Sequence, residues 1–253
     1  AGSLNKVAII SLTGTISATG SSLFFGAGIN PDQVREQLQR AEADAAVKAI
    51  VIRVESPGGT VAACQEIVNE MDKVTRPIVI SMGETAASGG YYISAKADKI
   101  IALPGTLTGS IGVITQIPNI KGLYDKLGIK METFKGGKYK DMYGGLRELT
   151  LEEKGILQNM TELYYQQFVK VVAEGRNLDE GKVRDLATGQ LYTGTQAKEL
   201  GLVDELGGLQ AAIDLAAELA DIESPEIEFY KPRPSSFLDT LLGLSLAEWR
   251  SLV

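Results

Sequence analysis

Residues 49–59 read AIVIRVESPGG, and this stretch decides the fold class. Its first six residues are apolar except for Arg53, as in a strand that is buried on both faces of a sheet. A Ser-Pro-Gly-Gly turn at 56–59 follows at once, and helical spacing then continues to about Lys73. A strand that turns through glycines into a helix is the first half of a β-α-β unit.

The same alternation continues on both sides of this stretch. Asn30 followed by Pro31 is typical of a helix start. The crossovers between apolar strands predict an α/β fold, a largely parallel sheet with helices on both faces. The periodicity predicts strands at 7–12, 77–82, 100–103, 111–114 and 130–134, and helices at 31–45, 88–97 and 119–127.

From about residue 149 the pattern becomes helical. Thr150 and Glu153 have the spacing of a capping box. We therefore expect a single α/β domain over 5–230 with a helical C-terminal extension, followed by an apolar tail at 231–253 that packs on its own domain or on a neighbouring subunit. Further helices are predicted at 179–186, 194–200 and 208–220, and a strand at 226–230.

The composition excludes some classes of partner. A net charge of -7 argues against nucleic acid and anionic membrane surfaces, which need basic patches. No run of 18 apolar residues is present, so the sequence predicts no membrane span. The first six residues lack an initiating Met and resemble a cloning remnant, so we expect a signal or membrane anchor upstream of them.

The chain contains one cysteine, Cys64, and no histidine. It therefore has no internal disulfide and no zinc-type ligand cluster, and we expect neither a metal nor a cofactor. Cys64 lies in a helical pattern and is expected to be a buried small side chain rather than a reactive thiol.

Two glycine-rich turns follow predicted strands, at 56–59 and at 86–90. Because the carboxyl ends of parallel strands share one edge of a sheet, both turns should meet at one rim. Neither turn matches a phosphate-binding motif, which leaves an oxyanion hole or a simple tight turn. Ser88, followed by Gly89 and Gly90 at the head of a helix, favours the oxyanion hole.

A nucleophilic Ser88 requires a base that takes its proton. Imidazole is excluded, because the chain has no histidine. An ordinary carboxylate is too weak a base, whereas desolvation can bring the pKa of a lysine from about 10.4 towards 7 or 8. The residues alone leave open which lysine is used.

Several ordered motifs resemble those of the SppA-type signal peptide peptidases, serine proteases that have a Ser-Lys dyad on a Clp-protease/crotonase-like fold. The resemblance covers about residues 5–230. The motifs are SPGG at 56–59, AASGGYYIS at 86–94, LTGSIGV at 107–113, KYKD at 138–141, and YTGTQAK at 192–198 with GLVD at 201–204.

The resemblance implies Ser88 as nucleophile and Lys140 as general base, with Ser110 orienting the lysine amine or else serving only in a turn. Lys138 lies in the same segment, two residues before Lys140, and in an extended strand the two lysines would share a face. A carboxylate in contact with Lys140 would keep it protonated, so we expect Asp141 to point away from it.

For the oxyanion hole we expect the backbone amides of Gly58 and Gly89, with Gly59 the weaker candidate. Gly59, Thr60 and Val61 are expected to flank the bound substrate strand.

The resemblance implies a serine endopeptidase that cleaves apolar peptide segments, such as remnant signal peptides, through an acyl-enzyme. It also implies a ring- or dome-shaped homo-oligomer that is membrane-associated, with the extracytoplasmic side favoured. Three alternatives stay open: a crotonase-type acyl-CoA enzyme, a non-enzymatic scaffold, and a related Ser-Lys protease that acts on membrane-scaffold proteins.

Overall fold

The computed structural model describes residues 5–19, 21–22 and 26–232. The strands are β1 (Lys6–Thr13), β2 (Ser21–Ser22), β3 (Gly26–Ala27), β4 (Val47–Ser56), β5 (Ile78–Ala87), β6 (Lys99–Ala102), β7 (Leu107–Gly109), β8 (Leu191–Thr193), β9 (Glu205–Leu206) and β10 (Glu226–Phe229). The helices are α1 (Pro31–Ala43), α2 (Val61–Met71), α3 (Gly89–Ser94), α4 (Lys121–Lys126), α5 (Leu151–Arg176), α6 (Glu180–Leu186), α7 (Gly194–Glu199) and α8 (Leu209–Leu219).

The main sheet has the strand order β10-β1-β4-β5-β6-β9, and all of these neighbours pair in parallel. β7 pairs in parallel with β5 and antiparallel with β8, and β2 and β3 form a separate antiparallel pair. The predicted largely parallel sheet with β-α-β crossovers is confirmed.

Side chains alternate between the two faces of this sheet. On one face Ile50, Ile52 and Val54 of β4 join a core shared with residues of α1, α2, α3 and α5. On the other face Ala49 and Val51 pack with residues of α8. The prediction of helices on both faces is confirmed.

Helix starts agree with their sequence signals. The Asn30 side chain accepts hydrogen bonds from the amides of Asp32 and Gln33 at the start of α1. Thr150 and Glu153 form the predicted capping box of α5. The predicted helices that became α6, α7 and α8 and the strand β10 are present within one or two residues of their expected bounds.

Two predicted strands are wrong. No strand forms at 111–114, because Gly109 and Ser110 both have positive φ values, 73° and 49°, and end β7 just before it. No strand forms at 130–134 either. Every side chain in that segment is exposed, so it has neither a partner strand nor a core to pack against.

No helix among the described residues is long and apolar enough to cross a membrane. Of the predicted apolar tail, residues 233–253 lie outside the described part of the chain.

Candidate active site

A bulge in β5 directs the end of this strand towards the site. β4 and β5 pair in register up to Val54 and Met82 and resume at Ser56 and Ala86, so residues 83–85 lie opposite Glu55 alone and β5 has two extra residues. The Glu55 carboxylate accepts hydrogen bonds from the amides of residues 84 and 85, at 2.7 and 2.8 Å. Bulges bend a strand and often lie next to active sites. Here the bulge lets the first half of β5 pair with β6 and the second half with β7.

This pairing sets Ser88 beside Ser110. Ala87 and Gly109 are partners at the ends of β5 and β7, so the two serines are the next residues along each strand. The amide of Ser88 also donates to the carbonyl of Gly109, at 2.9 Å.

Ser88 has a strained backbone. Its φ of 53° and ψ of -121° lie outside the conformations that non-glycine residues normally adopt. Such strain costs about 1–3 kcal/mol and is concentrated at functional sites. In the α/β-hydrolases a sharp turn from a strand into a helix presents the nucleophilic serine hydroxyl above the sheet edge.

The two glycine-rich turns touch each other, which confirms that they meet at one rim. A Cβ atom on Gly58, whose φ is 108°, would lie 2.7 Å from the amide nitrogen of Gly89. A Cβ atom on Gly89 would lie 2.9 Å from the amide nitrogen of Gly59 and 2.6 Å from Sγ of Cys64. Only glycines permit this approach of the two backbones, because any side chain would collide with main-chain atoms.

The backbone amides at this rim differ in their partners. The Gly58 amide donates to Oγ of Ser56, at 3.1 Å. The backbone groups next to the Gly59 amide are bonded to Ile16: the Gly58 carbonyl accepts from the Ile16 amide, and the Thr60 amide donates to the Ile16 carbonyl. Gly89 is the first residue of α3, so its amide has no acceptor within the helix. Gly59 and Gly89 both line the cavity described next.

A cavity of about 620 Å³ opens beside Ser88. Its walls include Ser110, Thr60 and Val61, and the aromatic rings of Tyr92 and Phe168 meet edge to face at 5.1 Å. This size and apolar lining suit an extended peptide with apolar side chains. Further lining residues are Gly59, Cys64, Gly89, Gly112, Val113, Ile114, Thr115, Tyr164, Tyr165, Ala187, Thr188 and Gly189.

Cys64 is buried, as predicted, although it borders the cavity. Burial raises the pKa of its thiol to about 12. Because the thiolate is the reactive form, this cysteine is inert at neutral pH.

Lys140 does not lie with these residues. It is exposed, occupies a turn rather than a strand, and does not line the cavity. Its loop is fastened to the first turn of α5, while Tyr164 and Phe168 of the same helix line the cavity. At 1.5 Å per residue, Glu153 and Tyr164 are separated by about 16 Å along the helix. Within one chain the structure brings together the serine and glycine residues but not the lysine.

The two lysines of the motif have different surroundings. Lys138 is paired with Glu152, and this bond raises the pKa of Lys138, which makes it a poorer base at neutral pH. Lys140 forms no ion pair with any residue in the described part of the chain. Asp141, its neighbour, is bound instead by Arg147 and Lys135.

Ser110 lines the cavity with a left-handed backbone, φ 49°. Its amide donates to the carbonyl of Gln190, at 2.8 Å, which ties the end of β7 to the segment before β8. Ser110 therefore lies at the same rim as Ser88.

Sequence reasoning missed three contributors to this region. Glu55 holds the bulge, Arg147 fastens the lysine loop, and the middle of α5 supplies part of the cavity wall. Tyr164 and Phe168 belong to the apolar spacing of α5, but that pattern does not reveal which element the helix packs against. Among the described residues no cluster of acidic or cysteine side chains is arranged to hold a metal ion.

Comparison with known proteins identifies the family. The family model of peptidase family S49 matches residues 70–223. This chain belongs to peptidase family S49. The S49 chain is a serine protease, and a Clp protease family model also matches its residues 6–108, which confirms the Clp-protease-like fold.

Relatives of this S49 peptidase come from distant organisms. A signal peptide peptidase SppA of Enterococcus faecium is 40% identical over 251 residues, covering 98% of this chain and 73% of that protein. Protease 4 of Haemophilus influenzae is 34% identical, covering 94% of this chain and 40% of that protein. The chloroplastic serine protease SPPA of Arabidopsis thaliana is 36% identical, covering 96% of this chain and 37% of that protein.

Proposed function

We propose that this S49 peptidase cleaves apolar peptide segments, including remnant signal peptides, with Ser88 as nucleophile and Lys140 as general base. The observation that carries the proposal is the strained Ser88 at the head of α3, beside glycine amides and an aromatic-lined cavity. The names of two relatives, a signal peptide peptidase and Protease 4, support the substrate class.

In this mechanism Oγ of Ser88 attacks the peptide carbonyl while its proton passes to Nζ of Lys140. The tetrahedral intermediate collapses, the C–N bond breaks, and the lysine returns the proton to the leaving amine. A water molecule then attacks the acyl carbonyl while Nζ of Lys140 takes its proton; the bond to Oγ of Ser88 breaks, the proton passes to Oγ, and the carboxylic acid product is released. Ser110 is proposed to hold the lysine amine so that its lone pair faces Ser88.

The oxyanion would be bound by the amides of Gly59 and Gly89. The expected pair was Gly58 and Gly89, but the Gly58 amide already donates to Ser56. Gly59 borders the cavity, and its amide lies close to Gly89. Loss of one such donor typically costs about 3 kcal/mol of transition-state stabilisation.

We propose that the lysine reaches Ser88 from a neighbouring subunit. A lysine in open water stays protonated at neutral pH, so the base requires cover that a single chain does not give to the exposed Lys140. Unusually exposed apolar side chains lie on the arm that carries Lys140, residues 116–149, and on both sides of it: Phe134 within the arm by 93%, and Ile114 and Leu151 just outside it by 81% and 88%. Burying such a surface between subunits would supply the cover, which supports the expected homo-oligomeric ring or dome.

Association with a membrane belongs to the same proposal. A peptidase for remnant signal peptides meets its substrates in or beside the bilayer, where they are released. We therefore propose that an anchor upstream of this sequence holds the protein at the membrane, with its active sites on the extracytoplasmic side.

The dyad is tested by Ser88→Ala and Lys140→Ala, with Lys138→Ala as the matched lysine control, on an apolar fluorogenic peptide. The first two variants should lose at least about 10³-fold in kcat. Lys138→Ala should keep near wild-type turnover, because its amine pairs with Glu152. Full activity of Lys140→Ala would refute the dyad.

Membership in a peptidase family favours a protease over an acyl-CoA enzyme or a scaffold. Substrate profiling distinguishes the proposed signal-peptide activity from that of a related Ser-Lys protease that acts on membrane-scaffold proteins. Preferential cleavage of free signal peptides, rather than of folded membrane proteins cut near their apolar segments, would support the proposed substrate class.

A further inference from the structure

An ionic cluster lies beneath the loop that carries Lys140. Nε and an Nη atom of Arg147 donate to the two carboxylate oxygens of Asp141, each at 2.8 Å. The same guanidinium donates to both carboxylate oxygens of Glu153, at 2.8 and 2.5 Å. Arg147 therefore bridges two carboxylates, a task that suits its planar fork of donors and that a lysine cannot reproduce.

One end of this bridge is fixed. Glu153 is only 2% exposed and forms the capping box at the start of α5, where it accepts from the amide of Thr150 at 2.9 Å. The 26-residue helix that begins there also lines the cavity. Anything bound to Glu153 is thus held at a fixed place relative to that helix.

The other end of the bridge is the lysine loop. Asp141 follows Lys140 directly, and its carboxylate also accepts from Lys135 at 2.7 Å. Lys138 pairs with Glu152, next to the cap. The charged groups around the loop are therefore Lys135, Lys138, Arg147 and the carboxylates of 141, 152 and 153, and they leave the amine of Lys140 out of their pairs.

From this geometry we infer that Arg147 is a positioning residue for the general base: by clamping Asp141 to Glu153 it fixes the loop that presents Lys140. The inference rests on the proposed dyad. The clamp also keeps the Asp141 carboxylate away from Lys140. Because this carboxylate is bound by the guanidinium of Arg147 and the ammonium of Lys135, it does not pair with the amine of Lys140. A misplacement of a catalytic group by about 1 Å can cost up to about 100-fold in rate.

The sharpest test is Asp141→Asn, which releases the loop while Arg147 and the capping box stay in place. Its matched control is Asp32→Asn on α1, which removes an exposed carboxylate that is also paired with an arginine. We expect kcat on the apolar peptide to fall about 10-fold or more for Asp141→Asn, with KM, thermal unfolding and oligomeric state unchanged. Arg147→Lys should lose a similar factor, and Asp32→Asn should lose none.

The pH profile separates positioning from a direct effect of charge. If Asp141 acted by its charge alone, its removal would favour the neutral lysine and move the acid limb of kcat to lower pH, with the same plateau. Positioning predicts a lower plateau at high pH.

Lys140→Ala is measured in the same series. If it is inactive while Asp141→Asn keeps the wild-type plateau, only this inference is overturned. A fully active Lys140→Ala overturns the dyad and the inference with it. A loss in Asp141→Asn that is matched by a lower unfolding temperature or by dissociated subunits would make the clamp structural and would also overturn it.

Discussion

The serine rim and the lysine arm, residues 116–149, are built by opposite means. At the rim, two glycine turns pack backbone against backbone, and the side chains of Glu55 and Ser56 bind main-chain amides of the bulge and of one turn. On the arm, exposed residues are held to α5 by the ion pairs of Arg147 with Asp141 and Glu153. The nucleophile is therefore preorganised by the fold of one chain, whereas the base depends on ionic contacts and, in the proposed mechanism, on a second subunit.

Among variants that keep the proposed dyad, the largest expected effect comes from disturbing the rim. Gly58→Ala places a Cβ atom 2.7 Å from the amide of Gly89 and forces a residue with φ of 108° to strain. Because both donors of the proposed oxyanion hole must shift, we expect kcat/KM to fall by at least about 100-fold. Gly105→Ala is the matched control, since its Cβ would meet nothing within 4 Å. Equal activity of the two variants would mean that the glycine contact does not shape the site.

A smaller effect is expected from the bulge that aims β5. Glu55→Gln weakens the two bonds to the amides of residues 84 and 85, so Ser88 should shift relative to Ser110. We expect kcat/KM to fall roughly 10-fold, within the range for small misplacements of catalytic groups. Steady-state kinetics of Glu55→Gln would check this, with Glu84→Gln, a change at an exposed neighbouring glutamate, as the control. Equal losses of kcat/KM in the two variants would assign the effect to surface charge and contradict the role of the bulge.

Acid should weaken the ion pair between Arg147 and Glu153 that holds the arm to α5. Bonds from Arg147 lower the pKa of Glu153 to about 2, below the ordinary 4.5. A lowered pKa stabilises the folded state fully above about pH 4.5, and this contribution is lost as the pH falls towards 2. The unfolding temperature of wild type should exceed that of Glu153→Gln at pH 7, and the gap should close as the pH falls from 4.5 to 2. A gap that stays constant would contradict the role of this ion pair.

The smallest effect is expected at Cys64, beside the oxyanion donors. Since its buried thiol has a pKa of about 12, it takes no part in catalysis. Cys64→Ala should keep kcat/KM within about threefold of wild type, in line with a small buried substitution. The native protein should also resist alkylation at pH 8. An inactive Cys64→Ala variant would contradict this prediction and indicate a catalytic role for the thiol.

Much of the rim could be predicted from the sequence, because its signals are local. The apolar strands, the Gly-Gly turns and the serine at a helix start can each be recognised from a few consecutive residues. The parallel sheet then brings the two turns to one edge. The hydrogen bond from the Gly58 amide to Ser56, on which the proposed choice of Gly59 as oxyanion donor rests, could not be predicted from the sequence.

The arm was harder to predict for a physical reason. Residues 130–134 have strand-like composition but no partner strand, so the backbone stays irregular. Arg147 gives no sequence signal, because its role depends on contact with the carboxylates of Asp141 and Glu153, and only the folded chain brings these groups together. The capping box of Thr150 and Glu153 was predicted, but not that its glutamate also anchors the arm.

The most direct test of the central claim is complementation between two inactive chains, Ser88→Ala and Lys140→Ala, co-expressed in equal amounts. If the lysine of one subunit serves the serine of another, random assembly should restore about a quarter of wild-type activity, since one site in four pairs an intact Ser88 with an intact Lys140. Mixed oligomers are verified by native mass spectrometry. Mixed assemblies that stay inactive would contradict a dyad shared between subunits.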